Sequence, residues 1–336
     1  MSHPAKPKDA SSKALLGVVL VLLSAVGLAT QNIVSKLFFV SSDLFGYAKL
    51  GGWVAPQLGN ITMLLSLRMG LMALLLAIAA PRLYANAFAE IGQLARDIKR
   101  LGYVVGSGTC LFVGLTSLYF SLSQIAAGIA IATFFIYPAI TLLLAWRYLQ
   151  QRPSMYQLGL MSLIFGGIVL TTSPASAEST ASGNSLLGIL GSLVAGLGLG
   201  LYGIFAELAL QPKEAQRALH PVPFSLLTFI VVSALSGVSL FFLSPVSVAS
   251  AAWQPLIVMT LLSALITVFA YVLNNFGIRL IGASLTALIS ASTPALTALF
   301  AWWALQESLQ LLQVVGIGLV TIGVAALSIK AERGGQ

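Results

Sequence analysis

The chain has 336 residues, of which 58% are hydrophobic and 8% charged, with a net charge of +8 and a mean hydropathy of +0.97. Soluble domains carry about 25% charged residues, so this composition excludes a soluble globular protein and points to a polytopic helical membrane protein. Long continuous apolar runs exclude a β-barrel, one cysteine (Cys110) excludes an internal disulfide, and no G-x-x-x-x-G-K-[ST] nucleotide loop occurs.

In chain order, Lys6, Lys8 and Lys13 precede an apolar run from Leu15 to about Val40. A signal core is about 7–15 residues, so this run reads as an uncleaved first span. Breaks at charges, prolines and Gly/Ser clusters then give ten spans: about 15–40, 59–80, 101–122, 125–146, 155–173, 186–210, 222–243, 254–278, 281–304 and 309–329. Each is near the ~20 residues that cross the hydrocarbon core. Only "SLSQ", Ser121–Gln124, separates the third from the fourth.

Charge placement orients the spans. With the N-terminus inside, 14 of the 17 basic residues fall in cytoplasmic segments, Lys49 falls outside, and Lys36 and Arg68 fall within spans. The positive-inside rule predicts this asymmetry, and it places both termini in the cytoplasm of an inner (plasma) membrane. The positive charge therefore belongs to the membrane face, and no nucleic-acid partner is expected.

The segment "TTSPASAESTASGNS" has no Lys or Arg and reads as an external flexible linker. The expected organisation is a cytoplasmic tail (1–14), a first five-helix unit (15–173), the linker (174–185), a second five-helix unit (186–330) and a cytoplasmic tail (331–336). The fold class is an all-α membrane protein of ten transmembrane helices in two inverted repeats.

The repeat is written in the residues. "PAITLLLAWRYLQ" starts at Pro138 and "PALTALFAWWALQ" starts 156 residues later at Pro294; 8 of 13 positions coincide. The 25 residues from Leu15 match those from Leu186 at 8 positions, which sets Lys36 against Glu207. Five spans per half is an odd number, so the second copy crosses in the opposite direction. Inverted repeats of this kind are a plan of secondary transporters.

Several ordered features now carry a resemblance: "TQNIVSK" ending at Lys36, "LRMGLMALLLA" with Arg68, the prolines of the fourth and ninth spans, "WALQES" with Glu307, and "QVVGIGLVTIG" opening the tenth. The chain resembles the drug/metabolite transporter superfamily, EamA type, over nearly its whole length. The resemblance implies transport of small organic solutes such as amino acids or amines, with export as often as import; no enzymatic activity and no cofactor are expected. Two features depart from it. Gln151 stands where the second half has Glu307, and the loop "SSDLFGYAKLGGWVAPQL" is long, with Phe45, Tyr47 and Trp53 expected at the outer interface or over a cavity mouth.

Among polar residues inside spans, Arg68 is the sharpest candidate. It lies ~12 Å into the second span, near the middle of a ~30 Å core. An Arg there costs about 2.5–3.5 kcal/mol on insertion scales, so it faces a partner or a water-filled cavity. Lys36 adds a second cation nearer the outer end, where it can also snorkel. Two cations and one acidic residue at that level, Glu307, leave a surplus positive charge for an anionic substrate group. Gln31, Asn32 and Asn274 need polar partners in hydrocarbon, from neighbouring helices or from substrate. Tyr137, Tyr202 and Tyr271, with Tyr119, offer an apolar face and a hydroxyl to a mixed pocket. Glu207 and Glu307 are candidate coupling or gating carboxylates, with protons or exchange both open, and Pro138 and Pro294 are expected to kink the fourth and ninth helices.

These residues fit a small-molecule exporter working by alternating access in the lipid bilayer. A sugar-phosphate or nucleotide-sugar exchanger would need more cations than Lys36 and Arg68. A channel would need a filter loop or charge ring. An enzyme would need a clustered nucleophile or metal set, and His3 and His220 are isolated, so no metal site is expected. A non-transporting sensor or scaffold on the same fold, and a homodimer, both stay open.

Overall fold

The computed structural model describes residues 7–55, 57–124, 130, 133–171, 185–211, 218–242, 245–306 and 310–333. The helices are α1 (Pro7–Phe39), α2 (Leu58–Leu83), α3 (Ala87–Leu94), α4 (Ile98–Gln124), α5 (Tyr137–Leu149), α6 (Met155–Thr171), α7 (Ser185–Leu210), α8 (Pro221–Ser239), α9 (Trp253–Ser290), α10 (Thr293–Leu305) and α11 (Leu311–Arg333). Between α1 and α2 lies a hairpin of β1 (Ser42–Leu44) and β2 (Ala48–Leu50).

Among the described residues six helices, α1, α2, α4, α7, α8 and α9, are long and apolar enough to cross a membrane. Met155–Leu170, Thr293–Leu305 and Leu311–Ala326 are apolar but shorter. The chain is thus an all-α membrane protein, but the ten expected spans do not emerge as ten helices of spanning length. Part of the fourth lies outside the described residues. The ninth is interrupted at Gly282, where φ is 80°, and again at Ala291 and Ser292 between α9 and α10.

These breaks correct the expectation for the prolines. Pro138 and Pro294 do not kink continuous helices; each stands in the first turn of a new one. A proline costs little there, because its missing N–H is one the helix leaves unpaired anyway. The two 13-residue helices α5 and α10 repeat each other in detail. Each ends on a glutamine in the left-handed region, Gln150 (φ 58°) and Gln306 (φ 54°). Each glutamine side chain donates back to a carbonyl three residues earlier, of Arg147 and Trp303. The hydroxyls of Thr141 and Thr297 each bond the carbonyl four residues before them.

Packing is paired in the same way. The extensive contacts are α4 with α7, α1 with α9, α6 with α11 and α2 with α8, followed by α4 with α8, α5 with α7, α1 with α10, α2 with α9 and α7 with α9. When the two halves of the chain are exchanged, α4–α7 becomes α1–α9 and α5–α7 becomes α1–α10. Glycines allow these close crossings, as is usual where lipid gives helices no hydrophobic reason to associate. A Cβ on Gly198 of α7 would sit 2.8 Å from Gly114 Cα and the Cys110 carbonyl oxygen of α4. A Cβ on Gly277 of α9 would sit 2.2 Å from the Val21 side chain of α1.

The long loop after α1 is tied to α10. Phe45 N–H donates to the Ala304 carbonyl, and its ring stands edge-on to Trp303 at 5.0 Å. Trp53 packs with the cluster of Val34, Phe38, Val54 and Leu256. Tyr47 projects furthest outward of the three aromatics, 95% exposed against 43% for Phe45.

Candidate functional site

Arg68 of α2 is 8% exposed. Its Nη2 donates to the Tyr119 hydroxyl of α4 at 3.4 Å. With the Gln31 amide assigned so that both ends are satisfied, the Gln31 oxygen of α1 accepts from Arg68 Nη1 at 2.6 Å. That oxygen also accepts from Ser35 Oγ, and the Gln31 nitrogen donates to Ser263 Oγ and Thr267 Oγ1 of α9. Three helices therefore fix the guanidinium. Its Nε–H is buried and has no partner among the described residues, and no described carboxylate pairs with Arg68. An unpaired buried donor costs about 1–3 kcal/mol, more when charged, so this edge is suited to an incoming acceptor.

Tyr271 of α9 lies within the electrostatic reach of both Arg68 and Tyr119. Its ring meets Tyr202 of α7 edge-on at 6.5 Å and Phe229 of α8 at 5.8 Å. It is enclosed by four other helices and is still only half-buried, as are Tyr119 and Asn274. Asn274 accepts from Ser290 Oγ, and Tyr137 reaches the Ala287 carbonyl at 3.4 Å. Tyr202 is more structural: its hydroxyl donates to Asn275 at 2.7 Å, and Asn275 donates on to Ser225. The arrangement is a cation held among phenols and amides.

A second polar cluster surrounds Glu207 of α7, which is 2% exposed. One carboxylate oxygen accepts from the Gln151 side chain, just beyond α5, and the other from the Ala283 N–H, the first after the Gly282 break. The carboxylate thus caps a helix N-terminus, where backbone donors and the dipole favour negative charge. Ser284 Oγ approaches Gln151 at 3.5 Å. Beside this cluster lies a cavity of about 320 Å³ lined by Gln151, Arg152, Gln157, Gln211 and Ser284.

The other candidates lie apart. Asn32 is on an exposed face of α1 and bonds Thr297 of α10 at 3.0 Å, which ties two helices together. Lys36 is half-buried in the last turn of α1. Pro138 lines an apolar cavity of about 390 Å³ with Phe135, Met161, Phe165 and Leu288. Pro294 is buried at the start of α10, and Glu307 lies outside the described residues. Sequence reasoning missed the roles of Gln151, Gln211 and Gly282. The signal available was that Gln151 breaks the repeat.

His220 stacks on Tyr84 at 4.0 Å and caps α8 by accepting from Val222 N. Burial, then the positive charge of Arg279, hold its pKa down at about 4.

Paired, glycine-crossed helices with a buried cation inside describe a polytopic helical membrane protein, and its relatives give the class. The profile of the EamA-like transporter family matches residues 186–329. The uncharacterized transporter sll1319 of Synechocystis sp. is 37% identical over 316 residues, which is 94% of this chain and 93% of that protein. One crystal structure of a protein at 16% identity superposes with a TM-score of 0.63 over 95% of this chain and 98% of that one, a likeness of fold. The chain belongs to the EamA-like transporters of the drug/metabolite transporter superfamily.

Proposed function

We propose that this protein is a secondary transporter of small organic metabolites carrying an anionic group, amino acids and comparable solutes among them. It crosses the inner membrane ten times as two inverted five-helix halves, exposes a central site alternately to each side, and works in the direction of export. Family membership supports the class. The exchange of helix pairings between the halves, and the detailed match of α5 and α10, support the inverted plan. One observation carries the substrate reading: Arg68 is buried and fixed at two nitrogens, with its Nε–H unpaired beside half-buried Tyr119 and Tyr271.

The test is thermal unfolding of the purified protein with amino acids, amines, organic acids and sugar phosphates, alongside Arg68→Gln. A ligand at 100 times its Kd stabilises the folded state by about 2.7 kcal/mol. Stabilisation by carboxylate-bearing solutes, lost in Arg68→Gln, is expected. Stabilisation that survives the substitution would remove Arg68 from the site. A response to sugar phosphates alone would replace the metabolite reading with the exchanger.

A further inference from the structure

We infer that Gln31 sets the charge selectivity of the Arg68 site: it is a positioning residue that fixes the guanidinium and leaves its positive charge for the solute. This rests on the reading above that Arg68 meets an anionic group. Gln31 of α1 is buried, and every hydrogen-bonding position of its amide is taken. Its oxygen accepts from Arg68 Nη1 at 2.6 Å and from Ser35 Oγ at 2.8 Å. Its nitrogen donates to Ser263 Oγ at 2.7 Å and to Thr267 Oγ1 at 3.0 Å. An amide has two lone pairs and two N–H groups, so nothing is left over for a solute. Gln31 therefore acts through Arg68 and not by direct contact.

The same geometry would accept a carboxylate. Glutamate is the isostere of glutamine, and at position 31 it would place an oxygen against Arg68 Nη1 at the same distance. Ser263 and Thr267 meet the other end with hydroxyls, which turn to donate as readily as to accept. A glutamate here would hold Arg68 in a charge-assisted bond and cancel its charge. The chain has an amide instead, and the other partners of Arg68 are neutral as well. Tyr119 takes Nη2, Tyr271 lies within electrostatic reach, and no described carboxylate pairs with the guanidinium. The cation is held in place without being neutralised. Little water screens a charge so buried, so it acts strongly on whatever enters beside it. Its unpaired Nε–H gives that attraction a direction. A solute bearing a carboxylate is favoured over its neutral analogue, and a purely cationic amine is repelled.

The test is thermal unfolding of purified Gln31→Glu and Gln31→Met, with Gln31→Glu also made in Arg68→Gln. The ligand-free midpoints form a double-mutant cycle. Gln31→Glu is expected to hold or raise the midpoint where Arg68 is present. It should lower the midpoint in Arg68→Gln, where the new carboxylate is buried without a cation. The probes are acetate, butyrate, benzoate and L-amino acids, each titrated singly. Gln31→Glu is expected to raise the dissociation constants of these probes about tenfold or more above those of Gln31→Met, which removes the amide and adds no charge. Constants that agree within about twofold between the two variants would overturn the inference, because lost positioning alone would explain both. A midpoint that Gln31→Glu lowers equally in both backgrounds would overturn it too. A parent that no carboxylate probe stabilises overturns the solute reading and the selectivity with it, and is recognised before any substitution at position 31.

Discussion

Glu207 and Gln211 stand one turn apart at the end of α7 and between them close both sides of the Gly282 break. Glu207 accepts from the Ala283 N–H after the break. Gln211 Nε2 donates to the carbonyls of Ile278 (2.8 Å) and Arg279 (2.5 Å) before it. A broken helix within a membrane leaves backbone groups that hydrocarbon cannot satisfy, and each unmet group is costly. Two side chains at i and i+4 supply what the missing turn would have.

Gln211→Leu should therefore destabilise the protein by about 1–3 kcal/mol, because the Ile278 and Arg279 carbonyls lose their side-chain donor. Gly282→Ala should cost about as much through its φ alone. Thermal unfolding in detergent checks both. Midpoints equal to the parent would show that the break is not held this way.

Gly198→Ala should weaken the α4–α7 crossing. Its Cβ would lie 2.8 Å from backbone atoms of α4, which cannot rotate away as a side chain can. Overpacking of this kind costs typically about 1–3 kcal/mol. Gly318→Ala, whose Cβ meets nothing within 4 Å, is the matched control and should hold or slightly raise the midpoint, since alanine is the better helix former.

Stability should fall as the pH drops from about 6.5 to about 4 through His220. Its folded pKa, about 4, lies below its ordinary value of 6.5, so the unfolded chain takes up the proton first. The protonated ring also loses the Nδ1 acceptor that caps Val222 N. His220→Gln should flatten this part of the pH profile, while a profile of the parent that rises toward acid would contradict the assignment.

Much of this architecture was legible because it is written twice. The two copies from Pro138 and Pro294 fold into matching helices down to the left-handed glutamines Gln150 and Gln306. Arg68 stood out because a charge at that depth demands a reason. The breaks were not legible. Hydropathy reads "IGASLTALISASTPALTALF" as one run, yet Gly282, Ala291 and Ser292 interrupt it, and small residues give an apolar average no sign of the interruption. Gln151 was visible only as a departure from the repeat. Its meaning depends on Glu207, 56 residues away on a different helix.

Arg68→Lys should lose solute-dependent stabilisation nearly as fully as Arg68→Gln. A lysine keeps the charge but carries its three N–H donors on one nitrogen, so it does not reproduce the planar spread with which the guanidinium holds Gln31 and Tyr119 and presents Nε–H to a ligand. Retained stabilisation in Arg68→Lys would mean that charge alone, without the guanidinium geometry, is what the site uses.

The most direct measurement is flux. Protein reconstituted in liposomes would be given, as a radiolabelled probe, the solute that most stabilises it against unfolding, with excess unlabelled solute on the opposite side. The account predicts saturable counterflow that Arg68→Gln abolishes. Flux that rises linearly with concentration, or counterflow untouched by the substitution, would contradict it.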